Sequence, residues 1–97
     1  MNQEICKAIE DKNIVTFSYD GGSRTIEPHC YGISSKGNEL LRSYQTGGYS
    51  KSGNPVGWKL FTVNKISNLE VSTDAFDGPR PQYNPNDKAM STIYCCL

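Results

Sequence analysis

Residues 14–31 read IVTFSYDGGSRTIEPHCY, and this stretch decides the fold class. Its first six residues are mostly β-branched or aromatic, which is typical of a strand, and Asp20-Gly21-Gly22 suits a tight hairpin turn because glycine tolerates positive φ angles. The chain then returns as a second strand over Arg24 to Tyr31. Pro28 predicts an edge position or a bulge in that strand, because proline has no N–H to donate to a sheet.

Outward from this hairpin, the sequence predicts one short helix and several more strands. Apolar residues recur at helical spacing between Asn2 and Lys12. Further strands are predicted over 39–45, 58–63 and 66–71, with a last one over 91–97. Residues 46–57 form a twelve-residue loop with four glycines, a length that is often seen in binding loops. The predicted fold is mainly β, a small bent barrel of five or six strands with one N-terminal helix.

Length and composition bound the class of protein. The 97 residues make one domain, and ten basic residues cancel ten acidic ones, with a pI near 6.5. A protein that depends on sequence-independent phosphate binding is usually basic, so any contact with nucleic acid has to come from a local cluster. No apolar run approaches the roughly 18 residues of a membrane span. The charged N-terminal residues exclude a signal-peptide core, so we expect a cytoplasmic protein whose four cysteines are reduced.

A set of basic and aromatic side chains forms the predicted ligand site. Basic groups from several segments can meet on one rim of a barrel, and interleaved aromatic rings can stack on bases at about 1–3 kcal/mol per base. The alternative is that the cations are a solvated surface and the rings belong to the core. The predicted ligand-binding residues are Arg24, His29, Tyr31, Arg42, Tyr44, Tyr49, Lys51, Lys59 and Lys65.

Strand alternation refines this prediction. Arg42 and Tyr44 share one face of their strand and are the more credible ligand-facing pair. On the next strand Trp58 and Leu60 share a face that we expect to be core, opposite Lys59. In the long loop, Tyr49 and Lys51 can close over a ligand, although an ordinary flexible hairpin loop is at least as compatible with the sequence.

The sequence contains no evident catalytic or metal-binding set. His29 is the only histidine, and adjacent strand residues point to opposite faces, so it should not activate Cys30. A structural role is the more common one for such a histidine. Cys95 and Cys96 are vicinal, which does not match the usual spacing of zinc ligands. We therefore predict no enzyme activity, no metal and no cofactor.

The order of these segments resembles the WYL domain family over residues 2–76. The family's features have counterparts, in order along the chain, in Ala8-Ile9, Val15 to Tyr19, Arg24 with Pro28, Glu39-Leu40-Leu41, Trp58-Lys59, Phe61 and Lys65-Ile66. The chain departs from the family where Glu39 and Leu40 replace tryptophan and tyrosine of the naming triad. Lysines 59 and 65 also replace two arginines, which retains phosphate binding better than bidentate recognition.

The resemblance implies an SH3-like or Sm-like barrel, which we assign to residues 1–76. Outside the family pattern, the residue types predict an irregular Pro-rich tail over 77–97 that ends in a short docked strand. It also implies a sensing module for a nucleotide-like small molecule or a short single-stranded nucleic acid, in bacterial regulation or phage defence. No winged-helix segment precedes the barrel in this sequence, so a complete transcription factor is not expected. The alternative is a protein-interaction subunit or a homo-oligomeric accessory protein, for instance a homodimer, that uses the barrel edge and the tail.

Overall fold

The second strand of the chain is the central element of the sheet in the computed structural model, which describes residues 1–97. The elements are α1 (Gln3–Glu10), β1 (Asn13–Tyr19), β2 (Gly22–Ile33), β3 (Glu39–Gly48), β4 (Gly57–Thr62), a 3₁₀ turn (Val63–Lys65), β5 (Ser67–Ala75) and β6 (Thr92–Cys96). All six strands pair antiparallel in the order β4-β3-β2-β1-β5, with β6 added on β2. The end strands β4 and β5 do not pair with each other, so the sheet is open. The mainly β fold with one short helix is confirmed.

The turn between β1 and β2 follows from its residue types. Tyr19 pairs with Gly22, which leaves a two-residue connection. Asp20 and Gly21 both have positive φ, 50° and 79°. Two positive φ angles define the type I′ turn, whose twist matches that of the strands it joins. The predicted hairpin is confirmed.

A bulge bends β2 at His29. Pro28 pairs with Ser43 and Cys30 pairs with Arg42, so His29 has no partner on β3. A bulge of this kind re-aims a side chain and increases the local twist. The irregularity predicted at Pro28 is confirmed, and it makes β2 change neighbours, from β1 in its first half to β6 in its second.

The core lies between α1 and the concave side of the sheet. Asn2 caps the helix, because its side-chain oxygen accepts from the N–H groups of Glu4 and Ile5 at 2.9 and 3.3 Å. The helix buries Ile5, Ala8 and Ile9 where it packs against β1, β2 and β6. The nine residues of the core cluster are Ile5, Ala8, Ile9, Val15, Phe17, Ile26, Tyr31, Leu41 and Phe61.

The prediction for β4 was wrong in its choice of face. Leu41 of β3 pairs with Phe61, and this register puts Phe61 in the core at 2 % exposure. Leu60 consequently points outward and is 39 % exposed. Trp58 is half-buried and does not belong to the core cluster. It lies against the tail, where its Nε1–H donates to the Pro81 carbonyl at 3.0 Å. Lys59 lies on the Phe61 face of the strand, at its open end.

The tail packs along the barrel and finishes as the predicted last strand. Residues 76–91 contain no helix or strand, and β6 then pairs with the second half of β2. Cys95 is joined to Cys6 of α1 by a disulfide, with a Cα–Cα distance of 5.7 Å. The expectation of four reduced cysteines was therefore wrong for this pair, because the register of β6 brings Cys95 to the helix. Cys30 and Cys96 are free thiols. No helix in the chain has the length and apolar character of a membrane span.

Candidate anion-binding site

A small cavity, the Arg24 pocket, opens between the β1–β2 turn, the loop after β3 and strand β4. Its volume is about 180 Å³. Tyr19 and Phe61 form an aromatic part of its wall. Its polar and charged lining consists of Asp20, Arg24, Ser50, Lys51, Ser52 and Lys59. The pocket thus unites three predicted cations, which are separated by up to 35 positions (59 − 24) in the sequence.

Arg24 is a buried cation without an acidic partner. It is only 4 % exposed. One terminal nitrogen donates to Gln45 Oε1 at 3.2 Å, the other to the Tyr19 carbonyl at 3.4 Å, and Nε has no hydrogen-bond partner. None of the four ion pairs of the protein includes Arg24. Burial of an unpaired ion costs several kcal/mol, so such a group is rare unless it is retained for binding.

Three aromatic rings surround the Arg24 guanidinium. Its central carbon lies 5.5 Å from the ring centroid of Tyr19, 5.3 Å from that of Tyr49 and 5.6 Å from that of Phe61. Each cation–π contact contributes about 0.5–2 kcal/mol, which offsets part of the lost hydration. The rings carry no net charge, however, and the positive charge of Arg24 remains unneutralised.

The two lysines of the pocket add to this charge. Lys59 Nζ donates to the Asn54 carbonyl at 2.6 Å and to Ser50 Oγ at 3.3 Å, and these bonds hold the loop beside the pocket. Lys51 is exposed. Against these cations the lining contains one carboxylate, Asp20. A chain of zero net charge therefore concentrates positive charge at one place.

Tyr49 is held in position next to the pocket. Its N–H donates to the Ser23 carbonyl at 2.7 Å, and its carbonyl accepts from the Gln45 side chain at 2.9 Å. The ring covers Gly22, where any side chain would collide with it. Tyr49 nevertheless stays 45 % exposed. It offers an exposed aromatic surface adjacent to the cations.

A second group of predicted site residues lies under the tail and is fully engaged there. Arg42 forms a two-point ion pair with Asp87, at 2.8 and 3.3 Å. Tyr44 lies under the guanidinium of Arg80, which is 4.6 Å from the ring centroid. Arg80 in turn makes a two-point ion pair with the buried Glu27 at 2.7 and 2.9 Å. We call this contact between the tail and β2–β4 the tail interface.

His29 belongs to the tail interface and is fully buried. Its Nδ1 lies 2.8 Å from the Glu27 carbonyl oxygen, and its Nε2 accepts from the Arg80 N–H at 3.1 Å. These partners select the neutral ring with the proton on Nδ1. Desolvation by burial lowers the pKa of His29, against the raising effect of Glu27. Trp58 packs edge-on to the His29 ring at 4.7 Å and stabilises this position.

Two other predicted site residues lie away from the pocket. Tyr31 is a core residue whose hydroxyl accepts from the Asn2 N–H at 2.7 Å and donates to Glu39. Burial, first, and the hydrogen bond to Glu39 raise the pKa of Tyr31 to about 12. Lys65 is exposed on the 3₁₀ turn and does not line the pocket.

Two larger cavities flank the tail, and each is lined by an ion pair that is already neutralised. One of about 580 Å³ is lined by Glu27 and Arg80, and another of about 360 Å³ by Arg42 and Asp87. The Arg80–Glu27 and Arg42–Asp87 pairs are neutral, so each cavity carries only one unpaired charge, Asp77 in the larger and Lys88 in the other. The smaller Arg24 pocket is therefore the better candidate for an anion, although it is not the largest cavity.

The sequence did not predict the tail residues that pair with charged residues of the sheet. Asp87 and Arg80 of the tail were not expected to bind residues 45 and 53 positions away. Gln45 carried a usable signal, because strand alternation places it on the same face as Leu41 and Ser43. A polar side chain on a core-facing position indicates a buried hydrogen-bond network, which here orients Arg24.

Comparison of this chain with protein-family models, with curated proteins and with solved structures finds no match. The fold and site on their own describe a small mainly β protein that has a buried cation in a basic, aromatic pocket.

Proposed function

We propose that this protein is a non-enzymatic sensing module of the WYL type that binds an anionic, nucleotide-like small molecule or the end of a short single-stranded nucleic acid at the Arg24 pocket. The observation that carries the proposal is Arg24 itself, which is 4 % exposed and lacks a carboxylate partner. An incoming anion supplies the missing charge. A role in bacterial regulation or phage defence accords with the family resemblance.

The pocket is large enough to hold only the anionic part of the proposed ligand. Sites that enclose a whole small molecule measure about 300–1,000 Å³, whereas this pocket measures about 180 Å³. We place only a phosphate-sized group of the ligand in this volume, beside Arg24 and Lys59. The planar part of the ligand then lies outside, against the exposed ring of Tyr49, where stacking contributes about 1–3 kcal/mol.

The states of His29 and Cys30 support a proposal without catalysis. Both ring nitrogens of His29 are engaged, so it is not free to exchange protons with a substrate. Burial raises the pKa of the Cys30 thiol to about 12, which makes it a poor nucleophile at neutral pH. A cytoplasmic location stays a prediction. The Cys6–Cys95 disulfide argues against the reduced cytosol of a mesophile, where such bonds are rare.

Titration calorimetry with adenosine monophosphate and with a short oligothymidylate tests the proposal. We expect Lys51→Gln and Lys59→Gln each to weaken binding by about 10- to 100-fold, because a hydrogen bond to a charged group contributes about 1.5–3 kcal/mol. Lys36→Gln is the matched control, since Lys36 is exposed on the β2–β3 turn, away from the pocket. Equal effects of all three substitutions, or no binding of either probe, would overturn the proposal. A steep loss of affinity with salt would favour the nucleic acid over the small molecule.

A second candidate is a protein-interaction or homodimeric role at the β4 edge. This strand ends the sheet, and apolar Leu60 and Val56 beside it are 39 % and 57 % exposed. Unpaired edges readily pair with another chain. A native mass spectrum separates the two candidates, because it shows either a dimer or a bound ligand that leaves on denaturation.

A further inference from the structure

The free cysteines Cys30 and Cys96 face each other across the β2–β6 ladder. They are direct partners in this antiparallel pairing. The Leu97 N–H donates to the His29 carbonyl at 2.9 Å, just beyond the cysteine pair. This bond marks Cys30 and Cys96 as a non-hydrogen-bonded pair, in which Cα atoms lie about 4.5 Å apart and side chains share a face. That separation falls within the range of about 4.4–6.8 Å that disulfides span.

The two thiols differ in accessibility. Cys96 is exposed, whereas Cys30 is fully buried. The neighbouring Cys95 points to the opposite face, where it is already bonded to Cys6. A reagent from solvent therefore meets Cys96 first, and Cys30 is the thiol placed to resolve an adduct formed there.

We propose that Cys30 and Cys96 form a redox-modification site, in which a low-molecular-weight disulfide such as glutathione disulfide converts the two thiols into a second, reversible disulfide between β2 and β6. The bond fastens the last strand to the sheet on the face opposite the Cys6–Cys95 link. This site is independent of the proposed anion pocket.

The reaction proceeds by two thiol–disulfide exchanges. The Cys96 thiolate attacks one sulfur of glutathione disulfide, whose S–S bond breaks and releases one glutathione thiolate. The Cys30 thiolate then attacks the Cys96 sulfur, and the second glutathione leaves. The two protons from the protein thiols end on the two glutathiones. The protein loses two electrons, and glutathione disulfide gains them. Burial, together with the nearby Cys96, raises the pKa of the Cys30 thiol, so the second step is slow at neutral pH and accelerates as pH rises.

The bond would also restrain the tail. The Tyr83 hydroxyl donates to the carbonyls of Leu97 at 3.2 Å and His29 at 3.4 Å, next to the cysteine pair. Movement of β6 away from β2 therefore disturbs the tail interface as well. Oxidation should raise the melting temperature and slow hydrogen exchange in residues 92–97.

The test is to incubate the intact protein with glutathione disulfide at pH 8 and to follow thiol content, intact mass and peptide map. We expect loss of both free thiols, a mass lower by two hydrogens and one cross-linked peptide that contains Cys30 and Cys96. Cys96→Ser should prevent the reaction, and Cys30→Ser should stop it at a glutathione adduct on Cys96. Should Cys30→Ser fail to fold, Cys30→Ala takes its place as a small apolar substitute.

Two results would overturn the proposal. One is a stable glutathione adduct on Cys96 in the parent protein with Cys30 still free. The other is a peptide map in which Cys96 is bonded to Cys6 or Cys95, or to a second copy of the chain. Reversal by dithiothreitol with return of the starting mass supports the site.

Discussion

At the scale of single residues, the fate of each cation depends on whether a carboxylate lies within reach. Arg42 and Arg80 each meet a buried carboxylate in a two-point geometry, which is the arrangement that suits the planar guanidinium. Arg24 is more deeply buried than either, yet it has only an amide, a carbonyl and three rings. This contrast separates two cations that stabilise the fold from Arg24, to which the proposed function assigns the ligand.

Replacement of Arg24 by methionine tests that distinction. The substitution removes the buried charge and strands no carboxylate, so the free energy of unfolding should stay within about 1 kcal/mol of the parent value or rise. Gln45 loses one hydrogen bond, which limits the gain. Urea denaturation measures the stability, and adenosine monophosphate binding should be lost. A loss of about 3–5 kcal/mol, as for a broken buried ion pair, would show instead that Arg24 is structural.

At the scale of elements, the bulge in β2 and the tail together determine the surroundings of His29. The bulge frees His29 from the β3 ladder, and the ring then accepts the Arg80 N–H. Strand alternation correctly separated Leu41 and Ser43 from Arg42 and Tyr44. Alternation did not reveal that the tail covers Arg42 and Tyr44. Alternation reports which residues share a face, whereas the partner of that face depends on where the tail folds back.

The tail interface should weaken in mild acid. The pKa of His29 is lowered by burial, so below its unfolded value of about 6.5 the unfolded chain binds more protons than the folded one. Stability is therefore complete above pH 6.5 and falls as pH decreases. Protonation of His29 also places a hydrogen on Nε2, which breaks the hydrogen bond donated by the Arg80 N–H. The positive charge of Arg80 opposes this protonation, whereas Glu27 favours it.

The measurement is the free energy of unfolding between pH 7.5 and 5. We expect a slope of up to about 1.4 kcal/mol per pH unit below 6.5, and a smaller slope for His29→Gln. The pKa of Asp87 lies below its usual range, because the Arg42 and Ala89 hydrogen bonds outweigh its burial. Loss of the Asp87 contribution therefore occurs at lower pH, outside this window. Parallel pH profiles of parent and variant would contradict the assignment.

At the scale of the whole molecule, a disulfide joins the two ends of the fold. Cys6 and Cys95 are 89 positions apart, so the bond constrains almost the entire unfolded chain. Small domains bury a limited share of their surface, and such links add stability that their core alone supplies poorly. The bond also ties β6, and with it the tail, to the helix.

Reduction of this disulfide should lower the free energy of unfolding by about 2–4 kcal/mol. For a domain of this size each kcal/mol corresponds to about 4–8 °C in melting temperature. Calorimetry with and without dithiothreitol provides the measurement. The control is the Cys30→Ala, Cys96→Ala double variant, which keeps the Cys6–Cys95 bond and should respond to the reductant as the parent does. Identical melting temperatures in both conditions would contradict the prediction.

The sequence by itself determined the helix, the hairpin after Tyr19, the irregularity at Pro28 and the succession of strands, because capping, turn residues and alternation are set by neighbouring residues. Only the tertiary structure decided which face of β4 enters the core, which arginines are neutralised and which cysteines meet. The ion pairs and the disulfide join residues 45 to 89 positions apart, and the face of β4 is set by its pairing with β3. They depend on strand register and on the path of the tail, which no local pattern encodes.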